Sequence, residues 1–268
     1  ASELIADNFN PNFPPDGSAA SPKTIDGTYL SDTLVGGFGD DTIRGLEGND
    51  NIDGQAGSDK IYGGEGNDVI EGNFGNDELY GDSGNDTITD DSGSNILDGG
   101  SGNDTLTSRS LSGDHTLRGG YGTDILIATG KKVTLDGGDE NDSIYAYGYI
   151  DKEGSRSYLE DGEATISGGA GTDYIQVEYY KTVNVEGGEG NDRFGLRNIT
   201  GDVKVNAGNG NDNFNNGIYS IKGDVEVDLG DGDDSWDSER TEASLVIKGK
   251  EGKDNVNARY GVKVELEG

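Results

Sequence analysis

Apolar residues are sparse along this chain, and they fall on a fixed beat. Between Gly27 and Thr107 a nine-residue phrase, G-G-x-G-x-D-x-apolar-x, repeats nine times without a gap, and Gly63 to Glu71 (GGEGNDVIE) spells it in full. The phrases begin at Gly27, Gly36, Gly45, Gly54, Gly63, Gly72, Gly81, Asp90 and Gly99. One apolar residue between two polar ones reads as the inward position of a short strand, and the glycine-rich remainder reads as a turn. The first six residues of each phrase are expected as turn and the last three as strand, so that two phrases make one coil of 18 residues. Phrases 18 residues apart then stack, and they sort into two rows on opposite edges of a solenoid.

The two rows have different fates. The first continues past residue 107 at Gly119, Gly137, Gly168, Gly187, Ala207, Leu229 and Gly249. Its apolar positions are Leu34, Ile52, Ile70, Ile88, Leu106, Leu126, Ile144, Ile175, Phe194, Phe214, Trp236 and Val256, the expected interior stack of a β-helix. The second row holds at Gly36, Gly54 and Gly72 and decays in the phrase at Asp90, where Asn95 replaces the aspartate. Beyond residue 108 a longer apolar-x-apolar strand takes its place: Val133/Leu135, Ala164/Ile166, Val183/Val185, Val203/Val205, Val225/Val227, Leu245/Ile247 and Val264/Leu266. The coil lengthens there to about 18–22 residues, which broadens the expected cross-section.

Three segments follow. Residues 1–26 hold all four prolines and form an N-terminal arm or cap; it is either a loose leader or an arm that docks on a neighbouring subunit. Residues 27–107 are the nonapeptide roll, and 108–268 continue the same solenoid with longer coils. One coil, Gly137 to Ser167, runs 31 residues and carries an insertion near 146–163. Tyr145, Tyr147, Tyr149 and Tyr158 lie in or beside it, with Tyr179 and Tyr180 one coil later. Exposed rings there would favour protein or sugar contacts; alternatively they cover a bare strand face.

The chemistry of the phrase is that of a hard cation. Calcium takes six to eight oxygens from carboxylates and backbone carbonyls. Glycines allow positive φ and turn carbonyls inward, and the sixth-place aspartate supplies a carboxylate. Those aspartates are Asp32, Asp50, Asp68, Asp86, Asp104, Asp124, Asp142, Asp173, Asp192, Asp212, Asp234 and Asp254 in the first row, and Asp41, Asp59 and Asp77 in the second. A period of nine with this aspartate resembles the RTX (repeats-in-toxin) family of calcium-binding β-rolls. The resemblance implies an all-β, right-handed parallel β-helix or β-roll with each ion between stacked turns. Calcium turns then occupy two rows in the N-terminal part and one in the C-terminal part. One ion per adjacent pair gives 11 sites from the 12 turns of the first row and 2 from the 3 of the second, about 13 calcium ions, with a fourteenth if Asn95 serves. Glu140, in place of a turn glycine, and the 31-residue coil are expected to disturb the Asp142–Asp173 pair, and Lys250 and Lys253 to weaken the last site.

Composition agrees. The 268 residues include 48 glycines and 30% apolar residues, too few for an ordinary globular core, and the formal net charge is -33. A chain this acidic stays disordered unless cations join the fold. About 13 divalent ions would bring it to about -7. Nucleic acid would be repelled, and no apolar run reaches membrane-spanning length. Cysteine is absent, which removes disulfides and thiolate metal sites. The chain starts at Ala1, read as a processed or trimmed end. Seventeen of the 20 Lys and Arg residues follow residue 100, several where the second row is lost: Lys131, Lys132, Lys181, Arg197, Lys222, Arg240 and Arg259. They either balance charge along the coils or form a basic edge for another molecule.

No nucleophile elbow, zinc motif or phosphate loop is present, and the single histidine, His115, sits in a degenerate turn without an evident partner. Catalysis is not expected; a groove near Tyr179, Tyr180 and Lys181 is where a polysaccharide-modifying site would lie. The expected function is a secreted, extracellular structural protein of the bacterial cell surface: surface layer, fibre or adhesin building block. It would self-associate head-to-tail or laterally through calcium and the arm. The alternative is a calcium-dependent binding module for a glycan or other surface ligand.

Overall fold

The computed structural model describes residues 21–152, 155–159, 161–214, 217–238, 240–241, 244–258 and 262–266. Two long parallel sheets face each other, one of 13 strands and one of 11, with no helix among the described residues. The chain alternates between them, so sequence neighbours lie in opposite sheets and each strand pairs with the strand one coil away. The first sheet starts at Thr24–Asp26, Thr42–Glu47 and Lys60–Glu65, and the second at Thr33–Phe38 and Asn51–Ala56. First-row turns lead from the first sheet to the second, and second-row turns lead back.

Register follows the phrase. Leu34 pairs with Ile52, Ile52 with Ile70, Leu106 with Leu126, Leu126 with Ile144, Ile144 with Ile175 and Ile175 with Phe194. The facing column is Ile25, Ile43, Ile61, Leu79, Leu97, Leu117, Leu135, Ile166, Val185, Val205, Val227, Ile247 and Val264. At the far end the interior widens to rings: Phe194 stacks on Phe214 at 4.4 Å, and Phe214 meets a tilted Trp236 at 5.1 Å. The division into six turn and three strand residues is corrected. Pairing runs on through the three leading places, G-G-x, of the next phrase, giving six-residue strands such as Lys60–Glu65 and leaving only the G-x-D segment as the turn.

The fourth-place glycines turn this corner with positive φ while packed against the coil below. Gly66 has φ +135°, and a Cβ there would lie 1.6 Å from the Gly48 carbonyl oxygen. Gly66→Ala combines left-handed strain with a backbone clash, so we expect a loss on the order of 3 kcal/mol. It would be read as a lower melting temperature at saturating calcium; an unchanged value would contradict the packing.

Where the second row is lost, the solenoid gains apolar columns. The aspartate column Asp41, Asp59, Asp77 continues as Asn95, and the strands that follow place His115, Val133, Ala164, Val183, Val203, Val225 and Leu245 in register. The first-place column Gly36, Gly54, Gly72, Asp90 continues as Ser108, Ala128, Ala146, Val177, Leu196 and Ile218. All of these apolar residues are buried, and Tyr180, Ile199 and Ile221 fill the corner between the two columns. The interior thus goes from one apolar column per sheet to two as calcium turns give way to side-chain packing.

The long coil projects an antiparallel hairpin, Tyr149–Lys152 with Ser155–Tyr158. Beside it Tyr145, Tyr147, Tyr149, Tyr174 and Tyr179 touch ring to ring, with centroids 5.0–6.1 Å apart. They are half-buried against one another, and Tyr180 is buried, so the expected exposed tyrosine groove does not include it.

Candidate metal centres

Each sixth-place aspartate splits its two carboxylate oxygens between tasks. Oδ1 accepts the backbone amide of the aspartate one coil earlier. Asp50 accepts from Asp32, and so on through Asp68, Asp86, Asp104, Asp124, Asp142, Asp173, Asp192 and Asp212 to Asp234, at 2.7–2.9 Å. Asp254 closes the first ladder at 3.3 Å. In the second row Asp41, Asp59 and Asp77 do the same at 2.7 Å for Lys23, Asp41 and Asp59. The carboxylates are therefore in register on both edges.

Oδ2 is left over. It is buried without a hydrogen-bond partner in 13 of the 15 motif aspartates: Asp41, Asp50, Asp59, Asp68, Asp77, Asp86, Asp104, Asp124, Asp142, Asp173, Asp192, Asp212 and Asp234. The exceptions lie at the ends of the first row. Asp32 Oδ2 accepts from the Thr28 amide and hydroxyl at 2.6 and 2.9 Å, and Asp254 is only half-buried. A row of buried, unpartnered carboxylate oxygens is untenable without counter-charge.

Ten of these orphan oxygens, from Asp41 to Asp192, converge with a carbonyl from the next coil over a first-place glycine. A Cβ on Gly45 would meet Asp50 Oδ2 at 2.2 Å and the Gly63 oxygen at 2.4 Å; on Gly137 it would meet Asp142 Oδ2 at 2.3 Å and the Gly168 oxygen at 2.4 Å. Glycine keeps this cradle open. Among the described residues no three His, Cys, Asp or Glu side chains converge, so an ion here would complete its shell with neutral oxygens such as the backbone carbonyls over the glycines. Carboxylate plus carbonyl oxygens suit calcium and not a softer metal. The motif aspartates of both rows would hold the ion, which supplies the positive charge that lets stacked carboxylates lie close together.

Several site expectations can be placed. Asp142 Oδ2 keeps its cradle and the Asp142 amide reaches Asp173 Oδ1 at 2.8 Å, so the 31-residue coil and Glu140 do not disturb this pair. Glu140 takes φ 71° and its carboxylate accepts the Gly122 amide at 2.9 Å. Lys250 pairs with Asp228 at 3.3 Å. Lys181 pairs with Asp161 at 2.8 Å and Arg197 approaches Glu178 at 3.7 Å; Arg259 lies outside the described residues. His115 does have partners: it is buried, its Nδ1 is 2.9 Å from Ser108 Oγ, and its Nε2 is 3.2 Å from the Ser110 oxygen. Residues 1–20 of the arm lie outside the described residues.

Two features were not read from the phrase. Its fifth place, written x, carries a second ladder: Asn49 Oδ1 accepts the Asn67 amide, Asn67 the Asn85 amide and Asn85 the Asn103 amide at 2.7–2.8 Å. This ladder runs opposite in sense to the aspartate ladder and recurs at Asn141, Asn191 and Asn211. The repeated G-N-D spelling was its signal. The other is Lys23, which stands in the aspartate column at the head of the second row, where its ammonium donates to the Gly36 carbonyl. A side-chain cation thus opens that row.

Burial pushes Asp59, Asp86, Asp124, Asp142 and Asp212 up to about 7, and Asp192 and Asp234 to about 6. Desolvation is the largest cause, the accepted amide bond opposes it, and neighbouring row carboxylates add to it. These groups therefore demand a cation or a proton at neutral pH.

The chain matches the family model for the RTX calcium-binding nonapeptide repeat (4 copies) over residues 26–61, 44–79, 53–88, 71–106 and 118–148. No curated protein and no solved structure matches it. The orphan oxygens, the glycine cradles and the repeat match agree: over residues 26–106 and 118–148 the chain carries RTX calcium-binding nonapeptide repeats.

Proposed function

We propose that this calcium-binding β-roll is a secreted structural element of the bacterial cell surface, a building block of a surface layer, fibre or adhesin. Its fold is switched on by calcium outside the cell. The observation that supports this is the pair of carboxylate ladders with their 13 unpartnered oxygens, which make cation binding and folding a single event. Proteins with this repeat are generally secreted, and no helix among the described residues is long and apolar enough to cross a membrane. The two rows would hold about 13 calcium ions. Carbonyl-rich sites of extracellular type bind at roughly 0.1–1 mM calcium, which keeps the chain unfolded in a cytosol and folds it outside. A non-catalytic role fits His115, whose two ring nitrogens are both engaged inside the wall.

Self-association is part of the proposal. With the ladders filled the chain retains net negative charge, and calcium bridging between exposed carboxylates of two copies, or docking of residues 1–26, would join them. Sedimentation of the full chain at rising calcium is expected to show folding first and larger species next. A folded monomer at every calcium and protein concentration would remove assembly while leaving calcium-driven folding in place.

A further inference from the structure

The second ladder ends differently from its interior. Asp90 holds the first place of its phrase, where Gly36, Gly54 and Gly72 precede it, and it is only 1% exposed. In the coils before it, a Cβ on Gly36 would meet Asp41 Oδ2 at 2.7 Å and the Gly54 oxygen at 2.6 Å, and on Gly54 it would meet Asp59 Oδ2 at 2.6 Å and the Gly72 oxygen at 3.0 Å. On Gly72 it would meet Asp77 Oδ2 at 2.8 Å and Asp90 Oδ2 at 2.3 Å. A second carboxylate oxygen therefore stands where the interior coils bring a carbonyl. Both Oδ2 atoms are buried without a hydrogen-bond partner. Their Oδ1 atoms are fixed: Asp77 accepts the Asp59 amide at 2.7 Å, and Asp90 the Ser92 amide at 3.0 Å.

Asn95 cannot be the extra ligand. Its Oδ1 accepts the Asp77 amide at 3.0 Å, and its Nδ2 donates to the Ser92 carbonyl at 2.9 Å and lies 3.5 Å from Ser108 Oγ. It holds the ladder's register but presents a donor where an aspartate presents Oδ2. Behind it Ser108 and His115 engage each other.

We propose that the second ladder closes on a dicarboxylate cation site, formed by Asp77 and Asp90, which takes one calcium ion more than the motif predicts and holds it most tightly in that row. This rests on the reading that the ladders bind calcium. Two carboxylates add charge to a carbonyl-rich shell, and charge count is what tunes calcium affinity. Two buried carboxylates converging on one space need a cation or a proton between them. Consistently, burial and then the neighbouring Asp77 carboxyl push Asp90 upward.

The test is calcium counting on the full chain by equilibrium dialysis, with stepwise removal by chelator, for the wild type, Asp90→Asn and Asp90→Gly. Asp90→Asn is expected to bind one ion fewer at limiting free calcium, with the tightest second-row ion weakened by about tenfold or more. Asp90→Gly restores the residue of the preceding coils and decides the matter if the asparagine variant does not fold. Equal counts and equal retention in the wild type and a folded variant would overturn the dicarboxylate site and favour a shared proton. A wild type that binds no calcium would instead overturn the reading of both ladders.

Discussion

Calcium removal at neutral pH is expected to abolish the fold, with loss of the far-UV β-sheet signal and of compactness in the full chain. The magnitudes decide this. Each of the 13 motif aspartates with an orphan oxygen is buried in the fold and solvated in the unfolded chain. For those pushed up to about 7 from 3.8, ionisation at neutral pH costs on the order of 4 kcal/mol each. A few such groups already match a whole domain's stability of about 5–15 kcal/mol. Hydrogen bonds to Oδ1 do not relieve Oδ2, and in the N-terminal coils only a single main apolar column per sheet, Ile52, Ile70 and Ile88 facing Ile43, Ile61 and Leu79, offsets it. Calcium supplies the missing charge, so its binding free energy is the folding free energy. Retained sheet structure in a calcium-stripped chain at neutral pH would contradict this account. An interior first-row change such as Asp86→Asn should raise the calcium midpoint, because it takes one carboxylate from the middle of the ladder.

Much of this was legible in the sequence because a repeat of fixed length determines its own register. Leu34, Ile52 and Ile70 are 18 apart, and they pair. The loss of the second row at Asn95 was equally visible. What replaced it was only half legible. Val133 and Leu135 alternate and read as a strand, but Ala128, Ala146 and Val177 hold the column vacated by glycines, and their role depends on which residue lies one coil below. His115 looked isolated because Ser108 reaches it from the opposite sheet. Asp90 marked only the start of the phrase in which Asn95 replaces the aspartate. Its meaning appears only when its carboxylate is seen over Gly72 beside Asp77. Local spelling gives period and columns; substitutions at a single place acquire chemistry through the neighbouring coil.

Acid should do part of what calcium does. In the calcium-stripped chain, lowering the pH from neutral to about 4 is expected to restore β-structure, because protons neutralise the same oxygens. The sign follows from the shifts. Asp59, Asp86, Asp124, Asp142 and Asp212 stand at about 7 in the fold against 3.8 as the ordinary value. Between those values the folded chain binds more protons than the unfolded one, so stability falls as pH rises through this window and is greatest below it. Several groups shifted together make the transition steep. Bound calcium displaces the protons, so in saturating calcium the fold should persist to neutral pH, and calcium affinity should fall as the solution is acidified. Circular dichroism across pH 8 to 4, with and without calcium, separates the two conditions. A calcium-stripped chain equally unfolded at both ends of the range would show that proton and calcium do not compete for the ladder. Changing Asp59, Asp86 and Asp212 together to asparagine should flatten the stripped chain's pH dependence, because three of the groups that titrate in the window are gone.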